Sequence, residues 1–249
     1  MIARTLAGMS LALAMGGAAL DAQGGGRTGG PPEAPPTAKA SAAVDLAGTW
    51  VAVVTEDWRW RMVTPPKGDI SSVPLNHEGR KVAESWDPAT EGSCRAYGAA
   101  AVMRMPGRIR ISWDNDATLK IETDAGQQTR LFHFDASRRA GPPSLQGHSV
   151  ANWERPQGRG GATSVSWAPL KVVTRNLTAG WLRKNGVPYS ANATVTEYYL
   201  FHADPGAGER LTITTIVDDP TYLMQPFITS SDFKKEPDGS KWNPVACKN

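Results

Sequence analysis

The residues best suited to chemistry lie near the middle of the chain, where histidines and carboxylates occur in two neighbouring stretches. His133 and Asp135 belong to the first stretch, and His148 and Glu154 belong to the second. In an extended strand alternate side chains share a face, so each histidine points the same way as its carboxylate. An imidazole beside a carboxylate can act as a general acid or base, because its proton affinity lies near neutrality. If the two stretches pair, they predict a His/carboxylate cluster that faces one cavity.

Two further residues complete a catalytic hypothesis. His148 would be the general base, and Glu154 or Asp135 would be its orienting partner. Arg130 or Tyr198 would stabilise negative charge that develops on the substrate, although Arg130 falls on the opposite face of its strand from the nearby histidine. Strand histidines are also commonly held in structural hydrogen bonds or exposed to solvent. A structural role for both histidines therefore remains the alternative.

The sequence indicates no cofactor. The ligand types suit a metal ion, but no tight local motif such as His-x-His groups them. The chain contains no phosphate loop, no dinucleotide fingerprint and no Gly-x-Ser-x-Gly elbow. We therefore expect no cofactor, and an enzyme built on these residues would be a cofactor-free lyase, hydratase or isomerase.

The chain is also rich in tryptophan, with nine residues. Such side chains can wall a ligand cavity by stacking on a planar ring or a sugar, or they can belong to an ordinary core. The first functional hypothesis is that the protein binds a small, partly apolar or aromatic molecule in the cavity of its fold. Another is a carbohydrate- or envelope-binding module with exposed tryptophans. The candidate ligand-binding tryptophans are Trp58, Trp60, Trp113 and Trp153.

The elements that must position these side chains are segments in which apolar and polar residues alternate. Residues 108–113, 118–123 and 128–134 alternate clearly and are separated by short polar turns, which is typical of an antiparallel meander. Further strands are predicted at residues 51–54, 58–62, 147–154, 163–167, 170–175, 194–202, 210–217 and 227–234. Strands at this spacing predict an all-β fold, namely a single antiparallel β-barrel that is lipocalin-like in character.

One segment, residues 74–86, has helical rather than strand periodicity. Asn76 is suited to cap its N-terminus. Its apolar face carries Leu75, Gly79, Val82, Ala83 and Trp86. We expect this segment to be one surface helix, lying over a barrel mouth or against the outside of the sheet.

The N-terminal region predicts export. Residues 1–22 have a basic residue before a short apolar run and small residues near the end, which is typical of a secretory signal peptide. Residues 23–44 are rich in Gly and Pro and predict a disordered leader. The barrel domain is expected at residues 45–249, where Gly48-Thr49-Trp50 is similar to a lipocalin opening. The expected location is the periplasm or the extracellular space.

The two cysteines, Cys94 and Cys247, predict a disulfide that ties the C-terminal tail to the barrel. Disulfides persist in oxidising compartments, which agrees with export. A metal site is the less favoured alternative, because two distant cysteines supply too few ligands by themselves.

The charge pattern excludes an obvious polyanion partner. The net charge is +3, with 27 basic and 24 acidic residues spread along the chain. Small basic groups such as Arg138 and Arg139 are interpreted as solvated surface, so we expect no nucleic-acid binding. Beyond the N-terminus the sequence has no apolar run of membrane-spanning length, and we expect no membrane insertion. The expected partner is a small-molecule ligand, and the oligomeric state stays open.

Three stretches of the sequence form a recognisable order. They are Arg130 to Asp135, then Gly147-His148-Ser149-Val150 with Trp153-Glu154, and Val217-Asp218-Asp219-Pro220-Thr221-Tyr222 with Pro226-Phe227. Together they resemble a widespread family of exported bacterial proteins of unassigned function. The resemblance spans roughly residues 94–235 and implies a secreted, β-rich domain. The sequence departs from the family pattern at Tyr198, where an arginine is usual, and at Arg155-Pro156, which interrupts the usual Glu-Gly turn.

Overall fold

The computed structural model describes residues 35–55, 58–90, 94–155, 168–206 and 208–247. Their strands are β1 (Gly48–Val53), β2 (Arg108–Asn115), β3 (Thr118–Thr123), β4 (Ala125–Gly126), β5 (Thr129–His133), β6 (His148–Trp153), β7 (Leu170–Arg175), β8 (Gly180–Arg183), β9 (Val187–Tyr189), β10 (Thr194–Asp204), β11 (Gly208–Asp218), β12 (Phe227–Glu236) and β13 (Val245–Ala246). The α-helices are α1 (Trp58–Arg61) and α2 (His77–Ser85), and short 3₁₀ turns occupy Pro88–Thr90, Cys94–Tyr97 and Val102–Arg104.

Nine of these strands form a closed barrel in the order β1-β12-β11-β10-β7-β6-β5-β3-β2, and β2 closes the ring on β1. Every neighbouring pair is antiparallel except β5 and β6, which are parallel. Antiparallel neighbours alternate in direction, and a closed ring with an odd number of strands cannot alternate throughout. The predicted barrel is therefore confirmed, but its sheet is mixed rather than antiparallel throughout.

The parallel pair creates a seam with a crossover on the outside of the barrel. Phe132 pairs with Ser149 and His133 pairs with Val150. Two parallel strands cannot be joined by a tight hairpin, and the connection needs about a dozen residues or more. Residues 134–147 provide this crossover, which we call the seam loop.

The barrel interior is filled by side chains that alternate along each strand. The buried members of this core include Trp50, Ile109, Ile111, Leu119, Ile121, Phe132, Leu170, Val172, Tyr199, Leu211, Ile213 and Phe233. The indole of Trp50 is fully buried, and its Nε1 donates a hydrogen bond to the Leu46 carbonyl at 3.0 Å. The Trp50 side chain therefore packs inside the barrel core.

Helix α2 begins where the sequence predicts a helix and packs against the loop after β11. The Asn76 side chain caps it by accepting a hydrogen bond from the Gly79 amide at 2.9 Å. A Cβ at Gly79 would lie 2.7 Å from the Tyr222 carbonyl oxygen, so only glycine permits this close approach. Gly79 and Ala83 are buried, which confirms the predicted apolar face.

The strand predicted at residues 58–62 is wrong, because the segment forms the single helical turn α1. The Met62 amide donates to the Trp58 carbonyl at 2.8 Å. Arg61 is buried and donates to the carbonyls of Val53 and Arg104, at 2.9 and 3.0 Å. Alternation of large apolar and cationic residues is a strand signature, but here these long-range hydrogen bonds hold the segment against the barrel. The described residues therefore contain two α-helices rather than one.

The predicted signal peptide, residues 23–34 of the predicted leader and the strand predicted at residues 163–167 lie outside the described residues. Residues 35–44 include a turn beside the barrel. The Lys39 amide donates to the Asp116 carbonyl at 3.0 Å, and Val44 packs against the barrel core.

The predicted disulfide between Cys94 and Cys247 is present. It fastens the C-terminal tail, whose strand β13 pairs in parallel with β4. The Val245 amide donates to the Asp124 carbonyl at 2.8 Å. In the part of the chain that the structure describes, no helix is long and apolar enough to cross a membrane.

Candidate functional site

The two histidines singled out from the sequence lie side by side on the outside of the barrel. His133 ends β5 and His148 begins β6, so the parallel seam brings them together. Their imidazole rings are stacked, with centroids 5.3 Å apart and planes at 26°. Their strand neighbours Phe132 and Ser149 point inwards and are buried.

A groove of about 480 Å³ lies between these histidines and the seam loop. We call it the histidine groove, and the lining residues that matter for its chemistry are Leu131, His133, Arg138, Arg139, Gln146 and His148. The seam loop supplies both arginines and Gln146, while β5 and β6 supply the rest. A volume of this size is within the range of small-molecule sites in proteins.

The seam loop reaches β6 through a turn that only glycine can make. Gly147 has φ 61°, and its amide donates to the Ser144 carbonyl and hydroxyl oxygens at 3.2 and 2.9 Å. A Cβ at Gly147 would lie 2.4 Å from the Arg175 carbonyl oxygen. Both backbone conformation and space therefore exclude a side chain at this position, and the turn fixes where His148 begins.

We expect Gly147→Ala to destabilise the protein by about 1 to 3 kcal/mol, because the added methyl group must push the β7 backbone away. Urea unfolding followed by circular dichroism measures this change. Gly141→Ala in the same loop is the matched control, since a Cβ there meets nothing within 4 Å and φ is not positive. Equal stability of the two variants would contradict the described turn.

The environment of His133 disfavours its protonated form. Its side chain is buried, and its Nδ1 lies 3.3 Å from the Thr118 hydroxyl oxygen. Burial lowers the pKa of His133 below its ordinary value of 6.5, and the nearby charges of Arg138 and His148 lower it further. Asp114 and Asp135 act in the opposite direction on the pKa of His133 but do not outweigh burial. The imidazole of His133 is therefore mainly neutral at pH 7.

This electrostatic arrangement predicts pKa changes of opposite sign in two variants. Arg138→Ala should raise the pKa of His133 towards 6.5, and Asp135→Asn should lower it further. Histidine-selective NMR titration measures both. Because the pKa of His133 is lower in the folded state than 6.5, its contribution to stability is complete above pH 6.5 and is lost as pH falls through the folded pKa. Identical titration curves for both variants would contradict the arrangement.

Positive charge predominates at the rim of the groove. Arg138 and Arg139 are exposed. Arg175 on β7 lies opposite His148 on β6 in the strand register. The carboxylate of Asp135 is turned towards Ser137 and accepts hydrogen bonds from its amide and hydroxyl at 2.9 and 2.6 Å. The sequence singled out the histidines, but it did not assign Arg138 or Arg139 to the site.

Arg130 lies inside the barrel and not in the groove. Its guanidinium donates two hydrogen bonds to the Glu197 carboxylate, at 2.8 and 2.6 Å, and both side chains are fully buried. Burial alone lowers the pKa of Arg130, but the charge of Glu197 reverses this and raises the pKa above its ordinary value. Thr174 accepts a further bond from Arg130 at 3.3 Å, and the Tyr199 hydroxyl donates to Glu197 at 3.4 Å. Arg130 and Glu197 therefore neutralise each other inside the barrel, and neither can contact a ligand in the groove.

The expected His/carboxylate cluster is not assembled in the described residues. Glu154 accepts an ion-pair hydrogen bond from Lys171 at 2.8 Å, and the ring of Tyr198 lies beside the same lysine. Glu154 follows His148 by six residues along β6 and its end, which corresponds to about 20 Å in an extended strand. Asp135 faces Ser137 rather than either imidazole. Among the described candidates, the two histidines stack on each other, whereas Glu154 and Tyr198 meet at Lys171.

The candidate tryptophans are divided between two regions. Trp58 on α1 is 60% exposed, and the Arg183 guanidinium lies over the ring of Trp60 at 5.1 Å. Trp113 and Trp153 form a row with Phe134 at one end of the barrel, with centroid separations of 5.4 and 6.4 Å. Trp113 also borders a second groove of about 580 Å³ beside residues 42–45. The tryptophans therefore do not form one cavity wall.

Comparison of the chain with protein-family models, curated proteins and solved structures found no match. Within the described ranges, no three His, Cys, Asp or Glu side chains are grouped so that they could hold a metal ion.

Proposed function

We propose that this protein is exported and binds a small, partly apolar or aromatic anion in the histidine groove. The observation that carries the proposal is the stacked pair of His133 and His148 in a groove whose rim carries Arg138 and Arg139. The barrel acts as a rigid scaffold, and the ligand lies on its outer face rather than inside it as in a lipocalin-like protein.

The shape of the groove favours a ligand with a flat, apolar part. Leu131 is 39% exposed and lines the groove together with the His148 imidazole. Planar rings stack readily on imidazole and aliphatic surfaces. The volume of about 480 Å³ accommodates one ring with substituents.

The charges around the groove favour an anionic group on the ligand. Guanidinium groups bind carboxylates and phosphates through paired, charge-assisted hydrogen bonds. Arg138 and Arg139 are exposed and lie in a loop. They can therefore turn towards a ligand without breaking a buried ion pair. The neutral imidazole of His133 can donate or accept one further hydrogen bond.

These contacts favour binding over general-base catalysis. A catalytic imidazole is usually oriented by a hydrogen-bonded carboxylate. In the described residues, neither Glu154 nor Asp135 supplies such a bond to His148, since each has another partner. The disulfide supports an oxidising compartment such as the periplasm or the extracellular space.

The test compares benzoate with benzamide, which has the same shape but no charge. Isothermal titration calorimetry at low ionic strength should give a Kd of about 1 mM or tighter for benzoate. Benzamide should bind about tenfold more weakly, because it lacks the charge-assisted hydrogen bonds. Added salt should weaken benzoate binding, since the charges at the rim are exposed.

Variants locate the binding site. Arg138→Ala and His148→Ala should each weaken benzoate binding by about threefold to tenfold. Lys234→Ala removes one exposed positive charge from β12, outside the groove, and should leave the affinity unchanged. Absence of benzoate binding, or equal effects of all three variants, would refute the proposal.

A second candidate function is a carbohydrate-binding surface, which the exposure of Trp58 favours. Met62 and Val63 follow it and are 54% and 56% exposed, so this turn presents apolar surface to solvent. Exposed indoles can stack on sugar rings. Wild-type protein should then sediment with insoluble cellulose or chitin, and Trp58→Ala should not. Failure of the wild type to sediment with either polymer would exclude this candidate.

A further inference from the structure

We infer that Gln146 is a positioning residue of the histidine groove and that the Cys94–Cys247 disulfide holds it in place. The inference rests on the proposed function, because it concerns the affinity of the same groove. Gln146 lines the groove and directly precedes the turn at Gly147 that starts β6. Its position therefore sets the position of His148.

The side-chain amide of Gln146 is fixed by two acceptors. Its Nε2 donates to the Tyr97 carbonyl at 2.7 Å and to the Gln128 Oε1 at 2.9 Å. Only the amide nitrogen can donate, so these two acceptors determine which way the amide faces. The Gln146 Oε1 is buried and has no hydrogen-bond partner among the described residues. The hydrogen bonds of Nε2 are therefore the ones that hold the Gln146 side-chain amide in place.

Each acceptor is connected to one half of the disulfide. Tyr97 ends the 3₁₀ turn that Cys94 begins. Cys94 therefore anchors the turn whose Tyr97 carbonyl accepts the hydrogen bond from Gln146. The side-chain Nε2 of Gln128 donates to the Gly126 carbonyl at 2.6 Å and to the Cys247 sulfur at 3.6 Å. Gly126 is in β4, which the tail strand β13 covers. The two routes converge on the side chain of Gln146.

Reduction of the disulfide should therefore weaken the groove. A dithiol such as dithiothreitol supplies two electrons and two protons, the S–S bond breaks, and two thiols form while the dithiol becomes a cyclic disulfide. The tail is then no longer tied to the 3₁₀ turn, and both acceptors of Gln146 lose an anchor. The seam loop then becomes less ordered in the free protein. An anion that binds must order this loop again, and the free-energy cost of this ordering lowers the affinity. Cys94 and Cys247 are half-buried, which gives a reductant access.

The experiment is a double-mutant cycle on benzoate affinity. Gln146→Met keeps the side-chain volume but removes the donor, and Cys94→Ser with Cys247→Ser removes the disulfide. Each change should weaken benzoate binding by about threefold to tenfold, which corresponds to the loss of about one hydrogen bond. Combined, they should weaken it no more than either alone, since both act on the same side chain. Additive effects would overturn the inference.

Two controls separate positioning from general destabilisation. Trp242→Ala removes a ring that the Arg110 guanidinium covers at 4.2 Å, on the same tail, and should leave benzoate affinity unchanged. Folded wild-type protein reduced with dithiothreitol replaces the serine variants if they do not fold, with free thiols counted to confirm reduction. If the oxidised wild type does not bind benzoate, the proposed function fails. If it binds equally before and after reduction, only the present inference fails.

Discussion

Arg130→Met should lower the free energy of unfolding by about 3 to 5 kcal/mol, because it leaves the Glu197 carboxylate charged and unpaired inside the barrel. Both partners are fully buried, and their two hydrogen bonds measure 2.8 and 2.6 Å. The guanidinium also lies 4.9 Å from the ring centroid of Phe132 in the barrel core. Urea unfolding monitored by tryptophan fluorescence measures the change.

The paired variant Arg130→Met with Glu197→Leu is the control for this prediction. Replacing both charges removes the uncompensated carboxylate, so the double variant should be more stable than Arg130→Met alone. A cost for Arg130→Met below about 1 kcal/mol is typical of a solvated surface pair and would contradict the buried position. A double variant less stable than both singles would contradict the same account.

Removal of the disulfide should lower the free energy of unfolding by about 3 to 5 kcal/mol. The bond joins residues 153 positions apart, and a cross-link that closes so long a loop restricts the unfolded chain strongly. The tail also loses its fixed pairing with β4 next to Asp124. Guanidinium unfolding of the variant that carries Cys94→Ser and Cys247→Ser measures the change.

Reduced wild-type protein provides an independent measurement of the same quantity. Its unfolding midpoint should match that of the serine variant, since both lack the cross-link. Equal stability of the oxidised and reduced wild type would contradict the prediction. An unfolding midpoint of Cys94→Ser equal to that of the oxidised wild type would also contradict the prediction, because Cys247 alone cannot form the disulfide.

The architecture could be predicted from sequence because alternation reports which side of a strand is buried. The predicted bounds of β3 and β7 match the structure, and the opposite orientation of Arg130 and His133 is confirmed. The parallel pairing of β5 with β6 could not be predicted. Strand periodicity fixes the face of a side chain but not its neighbour or its level along the barrel.

The same limit explains which site residues were found. His133 and His148 meet because of the parallel seam, whereas Glu154 shares a face with His148 but lies further along the strand. Arg138 and Arg139 belong to a loop with no periodicity, so no pattern of residues assigned them to the groove. The partner of Arg130 had one available signal, because Glu197 alternates with apolar inward residues of its strand.

The measurement that tests the groove most directly is histidine-selective NMR of the oxidised protein titrated with benzoate. The chain has four histidines. His133 and His148 line the groove, while His77 and His202 lie elsewhere, on α2 and β10, and serve as internal controls. We predict that the imidazole resonances of His133 and His148 shift together and reach saturation, while those of His77 and His202 stay in place. Unchanged resonances of His133 and His148 at saturating benzoate would contradict the proposed binding site.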